Sequence, residues 1–345
     1  MGKPLSLGKL PSDMLAELLS KVSGADPRII VGPGVGLDAA VLDLGGRYLV
    51  AKTDPITFAT DQVGWYAVHV NANDVACMGG TPRWFLATLL MPEGQADEQL
   101  ATTVFEQIKE ACGALDVSLV GGHTEITFGI DRPIVMGCML GELEPDRLVT
   151  PAGIKVGDVV ILARGIPIEA TAIIALEKAD ELEGHFEAEF LSRCANFLIE
   201  PGISVVGAAK VAQASGEVHA MHDPTEGGLA TGLWELAQAS RTALLVQESA
   251  IHIVPEGRIL CEHYGLEPLS SLASGALLLV AAPESAHQIV TAMRESGIAA
   301  AAIGEVDRRG EPSVTLVNDS GSQPMALPER DEITKLFETR EAPIQ

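Results

Sequence analysis

The chain has 345 residues, enough for two medium-sized domains, and it is 47% apolar but only 4% aromatic, so its core must be built from Ala, Val, Leu and Ile, as in helices packed on sheets. A formal charge of -24 leaves no basic face for a phosphate backbone and excludes a nucleic-acid partner. A carboxylate-rich protein can still hold a nucleotide where a divalent metal bridges the two sets of negative charge.

In chain order, Ser12 precedes Leu15, Leu18, Leu19 and Val22 at helical spacing with Gly24 beyond, which predicts an N-capped amphipathic helix. The glycine-rich run GPGVGLDAAV follows, in which Gly34 and Gly36 precede Asp38 in a loop that lets backbone amides approach a phosphate. Its spacing is not that of a Walker loop. Gly45-Gly46 separates two apolar runs as a hairpin turn does, and the second arm is expected to stop at Lys52-Thr53-Asp54-Pro55, leaving the Asp54 carboxylate at a strand end. A turn-capping Asp is the alternative.

Residues 62–78 read as a helix that carries Asn73 and Asp74 among small apolar residues. A carboxylate placed there points inward and needs a partner, because burying it alone costs several kcal/mol or protonates it. No Lys or Arg lies between Asp54 and Thr81, so the partner is expected to be a cation supplied from outside, with a local side-chain cap as the alternative. Residues 84–91 read as a fully buried strand and 100–115 as an amphipathic helix. A short strand over 117–120 then runs into a turn, Gly121-Gly122-His123-Thr124-Glu125, suited to a nucleotide. A hydrogen-bonded His and acid turn is the plainer reading.

A Pro-, Gly- and charge-rich break at 144–157 divides the chain into an N-terminal domain (1–150), a second domain (151–330) and a tail (331–345). In the second half, strands are expected at 159–163, 218–221, 276–282 and 314–317. Helices are expected after Pro167, over 204–215, from Gly227-Gly228 through 238, and over 284–296; an acid-rich helix and loop fills 177–189. The strand at 218–221 delivers HDPTEGGL, where His222 and Asp223 stand beside the free amides of a helix start, with Asp223 or Thr225 as a possible cap. Beyond Asp319 the chain is polar and should end in a loose helix.

Cys77, Cys112, Cys138, Cys194 and Cys261 are scattered without a CxxC pair, which suits small buried hydrophobes in a reducing cytosol better than disulfides or a zinc site. No charge-free apolar run approaches the ~18 residues of a membrane span, and no leader pattern is present. The expectation is a soluble cytoplasmic protein with no membrane partner.

Asp38, Asp54, Asp74 and Asp223 each fall at an element end beside glycines, the pattern of a shared metal-phosphate site. The order GxGxDAAV, TD, NDVACMGGTP, GGHTE, HDPTEGG and SGALLLV, running from about residue 30 to 306, resembles the aminoimidazole ribonucleotide (AIR) synthetase superfamily, which includes selenophosphate synthetases, thiamine-monophosphate kinases and the hydrogenase-maturation branch, HypE. That resemblance implies an α+β, PurM-like sandwich whose N-terminal sheets join across a homodimer axis into a barrel, with ATP and Mg2+ in a cleft shared with the second copy. It makes Asp38, Asp54, Asp74 and Asp223 metal ligands, and Gly121, Gly122, His123, Thr124 and Glu125 nucleotide contacts, joined by Gly34, Gly36, Lys52 and Asn73. Asp74, Asp223 and His222 are then the candidates for the chemistry.

HDPTEGG and SGALLLV resemble the hydrogenase-maturation branch most, but the sequence ends Ala342-Pro343-Ile344-Gln345 where that branch has a cysteine, and Glu226 stands where it usually has Arg. Residues 1–76 hold no cysteine of the selenophosphate synthetase kind, and Leu37-Asp38 replaces the doubled aspartate of the thiamine-monophosphate kinases. The reading is an ATP- and Mg2+-dependent enzyme acting on an amide- or hydroxyl-type oxygen of a small or protein-bound substrate. The alternative is a nucleotide-binding scaffold in a maturation complex.

Overall fold

The computed structural model describes residues 5, 10–22, 26–57, 59 and 61–337. The first half runs through α1 (Ser12–Leu19), β1 (Ile29–Val31), β2 (Ala40–Asp43), β3 (Tyr48–Ile56), α2 (Val63–Cys77), β4 (Thr81–Pro92), α3 (Glu98–Ala114), β5 (Ser118–Thr127) and β6 (Ile134–Leu143). Its six strands form one sheet in the order β1-β2-β3-β6-β4-β5, antiparallel except for the β4–β5 pair. The second half runs through β7 (Val159–Ala163), α4 (Ile168–Glu177), α5 (Ala179–Leu182), α6 (Ala188–Asn196), α7 (Val206–Ser215), β8 (Val218–His222), α8 (Gly228–Ser240) and β9 (Thr242–Gln247). It continues with α9 (Pro255–Tyr264), β10 (Leu277–Ala281), α10 (Pro283–Glu295), β11 (Ala300–Arg309), β12 (Ser313–Asn318) and β13 (Gly321–Pro324). Its seven strands form a second sheet, β13-β12-β9-β11-β7-β10-β8, in which only β12 and β9 are parallel. The architecture is α+β, with one mixed sheet on each side of the break after Leu143.

α2 is the axis of the molecule. Apolar residues lie on all its sides, so it can be stable only if enclosed, and of Val63–Cys77 every residue but Trp65 is buried. It packs against β3, β6 and α3 of its own half and against α7 and β8 of the other. Close approach to β6 depends on Gly137 and Gly141, where an added Cβ would come within 2.4 Å of the Asn71 side chain and 2.3 Å of Val75. The second sheet is covered on both faces: Val160, Leu162 and Leu278 pack under Leu229, Leu233 and Leu236 of α8, while Ile161, Leu277 and Leu279 pack under Ala208 and Ala212 of α7 and Ile289 and Met293 of α10. Among the described residues, the first sheet has helices on one face only. The expectation of a fully buried strand over 84–91 is therefore corrected: Phe85 and Leu89 are buried, but Trp84 and, across on β6, Met136 stand on the open face, each 36% exposed.

Other expectations are corrected too. β3 does not stop at Pro55 but continues to Ile56, because β6 pairs with it along its whole length. The predicted turn at 121–125 is the middle of β5, whose pairing with β4 extends to Thr127. The 331–345 tail is not loose where it is described: Asp331 and Ile333 are buried, and residues 332–336 form a short 3-10 turn. α1 begins at Ser12 itself, with Pro11 preceding it and no side-chain cap. Gly24, read as its terminator, lies outside the described residues, as does the chain after residue 337.

Asn73 shows what joins the halves. It is fully buried; its Nδ2 donates to the Ile203 carbonyl at 2.9 Å and its Oδ1 accepts from the Val205 amide at 2.8 Å. The Asn73→Ala substitution strands two buried backbone groups, at about 1–3 kcal/mol each. It should lower the unfolding free energy by roughly 3 kcal/mol in a urea titration, and a loss within experimental error would contradict the joining role.

Candidate active site

Acidic groups from both halves meet beside the C-terminal end of α2. Along β3 alternate residues face α2, so Val50 enters the core while Lys52 and Asp54 meet the helix. Beyond Ala51, where β2 has left the sheet edge, the Asn71 side chain takes the place of a neighbouring strand. Its Oδ1 accepts from the Asp54 amide at 2.8 Å and its Nδ2 donates to the Asp54 carbonyl at 3.2 Å. Asp54 is thereby fixed with its carboxylate beside that of Asp74.

Lys52 joins them: its Nζ lies 3.2 Å from Asp54 Oδ2 and 3.3 Å from Asp74 Oδ1. The cation expected from outside is, for one oxygen of Asp74, a residue two places before Asp54 on the neighbouring strand. Asp74 Oδ2 is buried and has no hydrogen-bond partner. Burial opposes the charge of Lys52, but Asp74, Asp54 and Asp38 outweigh it and raise its pKa. Burial, with the other acids, also raises Asp74 well above the carboxylate range, against the pull of Lys52.

The second half contributes the end of β8. His222 Nδ1 lies 2.8 Å from Asp38 Oδ1 and its Nε2 lies 2.9 Å from Glu235 Oε2 on α8. Carboxylates only accept, so both ring nitrogens carry protons. Burial disfavours that charge, but Asp38 and Glu235 prevail and lift the imidazole pKa well above its usual value. With both nitrogens engaged, His222 bridges Asp38 and Glu235. Asp223, 2% exposed, accepts from the Cys77 thiol at 3.5 Å through Oδ1, while its Oδ2 is buried without a partner. Burial pushes its carboxyl up to about 7.

The structure thus brings together Asp38, Lys52, Asp54, Asp74, His222 and Asp223, and adds two residues that the sequence did not single out for the site, Glu235 and Cys77. Glu235 is legible only once α8 is aligned beneath β8. Cys77 lies one helical turn after Asp74, a spacing present in the sequence but masked by its apolar neighbours.

The remaining candidates lie elsewhere. Asn73 is enclosed between the halves, which removes it as a nucleotide contact. Gly36 has a φ of +74°, and an added Cβ would lie 2.9 Å from the Glu235 carbonyl. Its need for glycine therefore comes from packing on α8; Gly34 lies in the same loop, beside Leu37. Gly121, Gly122, His123, Thr124 and Glu125 occupy the exposed edge strand β5, with His123 Nε2 3.0 Å from Glu125 Oε2. β6 and β4 separate β5 from β3, so at about 4.8 Å per strand the motif is about 14 Å from the acids of its own chain.

Behind the 222–228 loop, neither Asp223 nor Thr225 is the observed cap of α8. The Gly227 amide donates to Asp331 Oδ2 at 2.6 Å. Glu169 is buried close by, and burial raises its carboxyl to about 7.

A donor set of four aspartates, two with unpartnered buried oxygens, fits a hard divalent cation that takes oxygen ligands. A lysine beside them suits phosphate oxygens.

These features are those of a two-domain fold with an acid-lined seam, and family comparison gives the class. The AIR synthase related protein N-terminal domain matches residues 36–143 and the corresponding C-terminal domain matches residues 155–317. The chain belongs to the AIR synthase-related family.

Within it, the chain is similar to the carbamoyl dehydratase HypE of Bradyrhizobium diazoefficiens, 31% identical over 285 residues and covering 78% of each chain. It is also similar to that of Rhizobium leguminosarum bv. viciae, 29% identical over 302 residues, 83% of this chain and 81% of the relative. The crystal structure of hydrogenase maturation protein HypE in complex with ATP superimposes with a TM-score of 0.71 at 24% identity, over 90% of this chain and 92% of that one, which confirms the fold.

Glu169 gives a pH test. Its folded pKa of about 7 lies above the unfolded value of 4.5, so its contribution is fully present below pH 4.5 and is lost as the pH rises through 7. The Glu169→Gln variant should melt close to wild type near pH 4 and be more stable at pH 8, by about 3 kcal/mol. Equal melting shifts at both pH values would show that Glu169 titrates normally.

Proposed function

We propose that the seam binds ATP with Mg2+ in a homodimer and uses it to activate an amide- or hydroxyl-type oxygen. The observation that carries this reading is the pair of buried, unpartnered oxygens, Asp74 Oδ2 and Asp223 Oδ2, where acids from both halves converge. Leaving such atoms unpaired costs about 1–3 kcal/mol each, and more for charged groups. Two carboxylates from separate domains kept in that state fit a cation better than they fit a structural role.

Asp38, Asp54, Asp74 and Asp223 would hold magnesium, which supplies neutralisation of the charge on the phosphates. Lys52, beside Asp54 and Asp74, would offer its ammonium to phosphate oxygens. His222, held between Asp38 and Glu235, keeps Asp38 oriented. The name carbamoyl dehydratase, borne by both relatives, supports an ATP-dependent dehydration as the reaction class: the carbonyl oxygen of a carbamoyl group takes the γ-phosphoryl group as ADP leaves, the C–O bond then breaks to release phosphate, and the amide nitrogen gives up its two protons to solvent as the carbon–nitrogen triple bond forms.

The homodimer is supported by the open face and edge of the first sheet. Trp84, Leu86, Leu90, Met136 and Leu140 lie on one face without a helix over them, and the edge strand β5 exposes Val120 (52%) and Ile126 (60%). Pairing this face with a second copy buries that surface. It also offers a way for the Gly121–Glu125 motif to reach the acids of the other protomer.

Calorimetric titration should show ATP binding that requires Mg2+. The Asp74→Asn variant should remain folded and bind at least about tenfold more weakly; unchanged affinity would remove Asp74 from the site. Magnesium-dependent binding without turnover on any acceptor would favour the scaffold.

Light scattering should give a dimeric mass for the wild type and a monomeric mass for Met136→Lys, with ATP binding weakened in the monomer. A dimeric Met136→Lys protein, or a monomer with wild-type ATP affinity, would contradict the shared site.

A further inference from the structure

The sequence presents Cys77 as an inert core residue, and its burial at 1% exposure agrees. Its surroundings are only partly apolar. Sγ lies against Asp223 Oδ1 at 3.5 Å, and one ligand atom from each of Asp38, Cys77 and Asp223 lies within 4.8 Å of the other two. Asp223, itself 2% exposed, keeps its second oxygen unpartnered, as does Asp74 one helical turn before Cys77. Cys77 also packs in an apolar cluster with Ile161, Val205 and Ala208, but its Sγ is the atom that meets the carboxylate.

The distances can be compared with those of a metal centre. A tetrahedral ion with metal–sulfur and metal–oxygen bonds of about 2.3 and 2.0 Å has a sulfur–oxygen edge of about 3.5 Å, which is the Cys77–Asp223 separation. A ligand atom of Asp38, within 4.8 Å of both, supplies the third donor, and its other role, accepting from His222, is the orienting contact that such ligands ordinarily have. Sulfur does not suit Mg2+, which prefers oxygen, but it favours Zn2+ and Co2+.

We propose that Cys77, Asp223 and Asp38 form a mixed sulfur–oxygen site for a thiophilic divalent cation of the zinc class, set within the acid cluster. The inference rests on reading that cluster as a cation site and adds that Cys77 widens its choice of metal beyond magnesium. On binding, the S–H bond is replaced by a sulfur–metal bond and the thiol proton passes to the buffer.

The test is cobalt spectroscopy on the metal-free full-length chain, which reports ligation without reference to turnover. Co2+ should produce a near-ultraviolet thiolate-to-cobalt charge-transfer band that saturates at equimolar metal. Zn2+ should abolish the band and an equal concentration of Mg2+ should not. Cys138→Ser, which alters the half-buried cysteine on the open sheet face, should retain the band. Cys77→Ser should lose it and bind cobalt at least about tenfold more weakly, with Cys77→Val as the alternative if the serine variant does not fold.

No band in the wild type, or a band that persists in a folded Cys77 variant, would overturn the site. Magnesium-dependent ATP binding with no cobalt band would overturn the thiol site alone. A cobalt band without ATP binding would leave it standing and overturn the nucleotide reading.

Discussion

The structure depends on one electrostatic constraint: five carboxyl groups, those of Asp38, Asp54, Asp74, Asp223 and Glu235, are held around two cations, Lys52 and His222. Water is largely excluded from this seam, so the imbalance cannot be screened and must be met by protons or by an added cation. Raised carboxyl pKa values for Asp74 and Asp223 are the first response. The second is what the family to which the chain belongs leads us to propose, a metal ion bound together with nucleotide.

Holding that arrangement requires α2 to be enclosed from two directions. Gly137 and Gly141 let it sit close on the first sheet, and Asn73 fastens its other side to the 203–205 backbone of the second half. Asn71 fixes Asp54 by completing the sheet edge where β2 ends. The amides around Asp74 therefore act on the backbone, and they place the acids without touching a ligand. This division explains why a motif such as NANDVACMGG combines asparagines, an acid and small residues: the site needs rigid supports as well as ligands.

Much of this was legible in the chain. The break at 144–157 separates two sheets, the strand at Val159–Ala163 has the bounds expected of it, and the aspartates expected at element ends do converge. What could not be read was pairing across long sequence separations. The internal cation of Asp74 is not legible because Lys52 lies 22 positions before it and reaches it only because β3 lies alongside α2. The Gly121–Glu125 motif looked like a turn because of its glycines; pairing with β4 makes it strand. β11 is not legible as a strand because Ala-rich, charged AAAIGEVDRR carries little strand signal and forms through its neighbours β7 and β9. Cys77 was hidden for a similar reason, because helical spacing reveals that it lies near Asp74 but not that Asp223 comes from the other half to meet it.

The central claim is that the seam is a cation site assembled from both halves of the chain. The most direct measurement is equilibrium binding of Mn2+, followed by the loss of the free-ion electron paramagnetic resonance signal, in wild type and in Asp223→Asn. Saturable binding by the wild type, competed by Mg2+ and lost in the variant, is the predicted result. An unchanged free-manganese signal in the presence of the folded wild-type protein would contradict it.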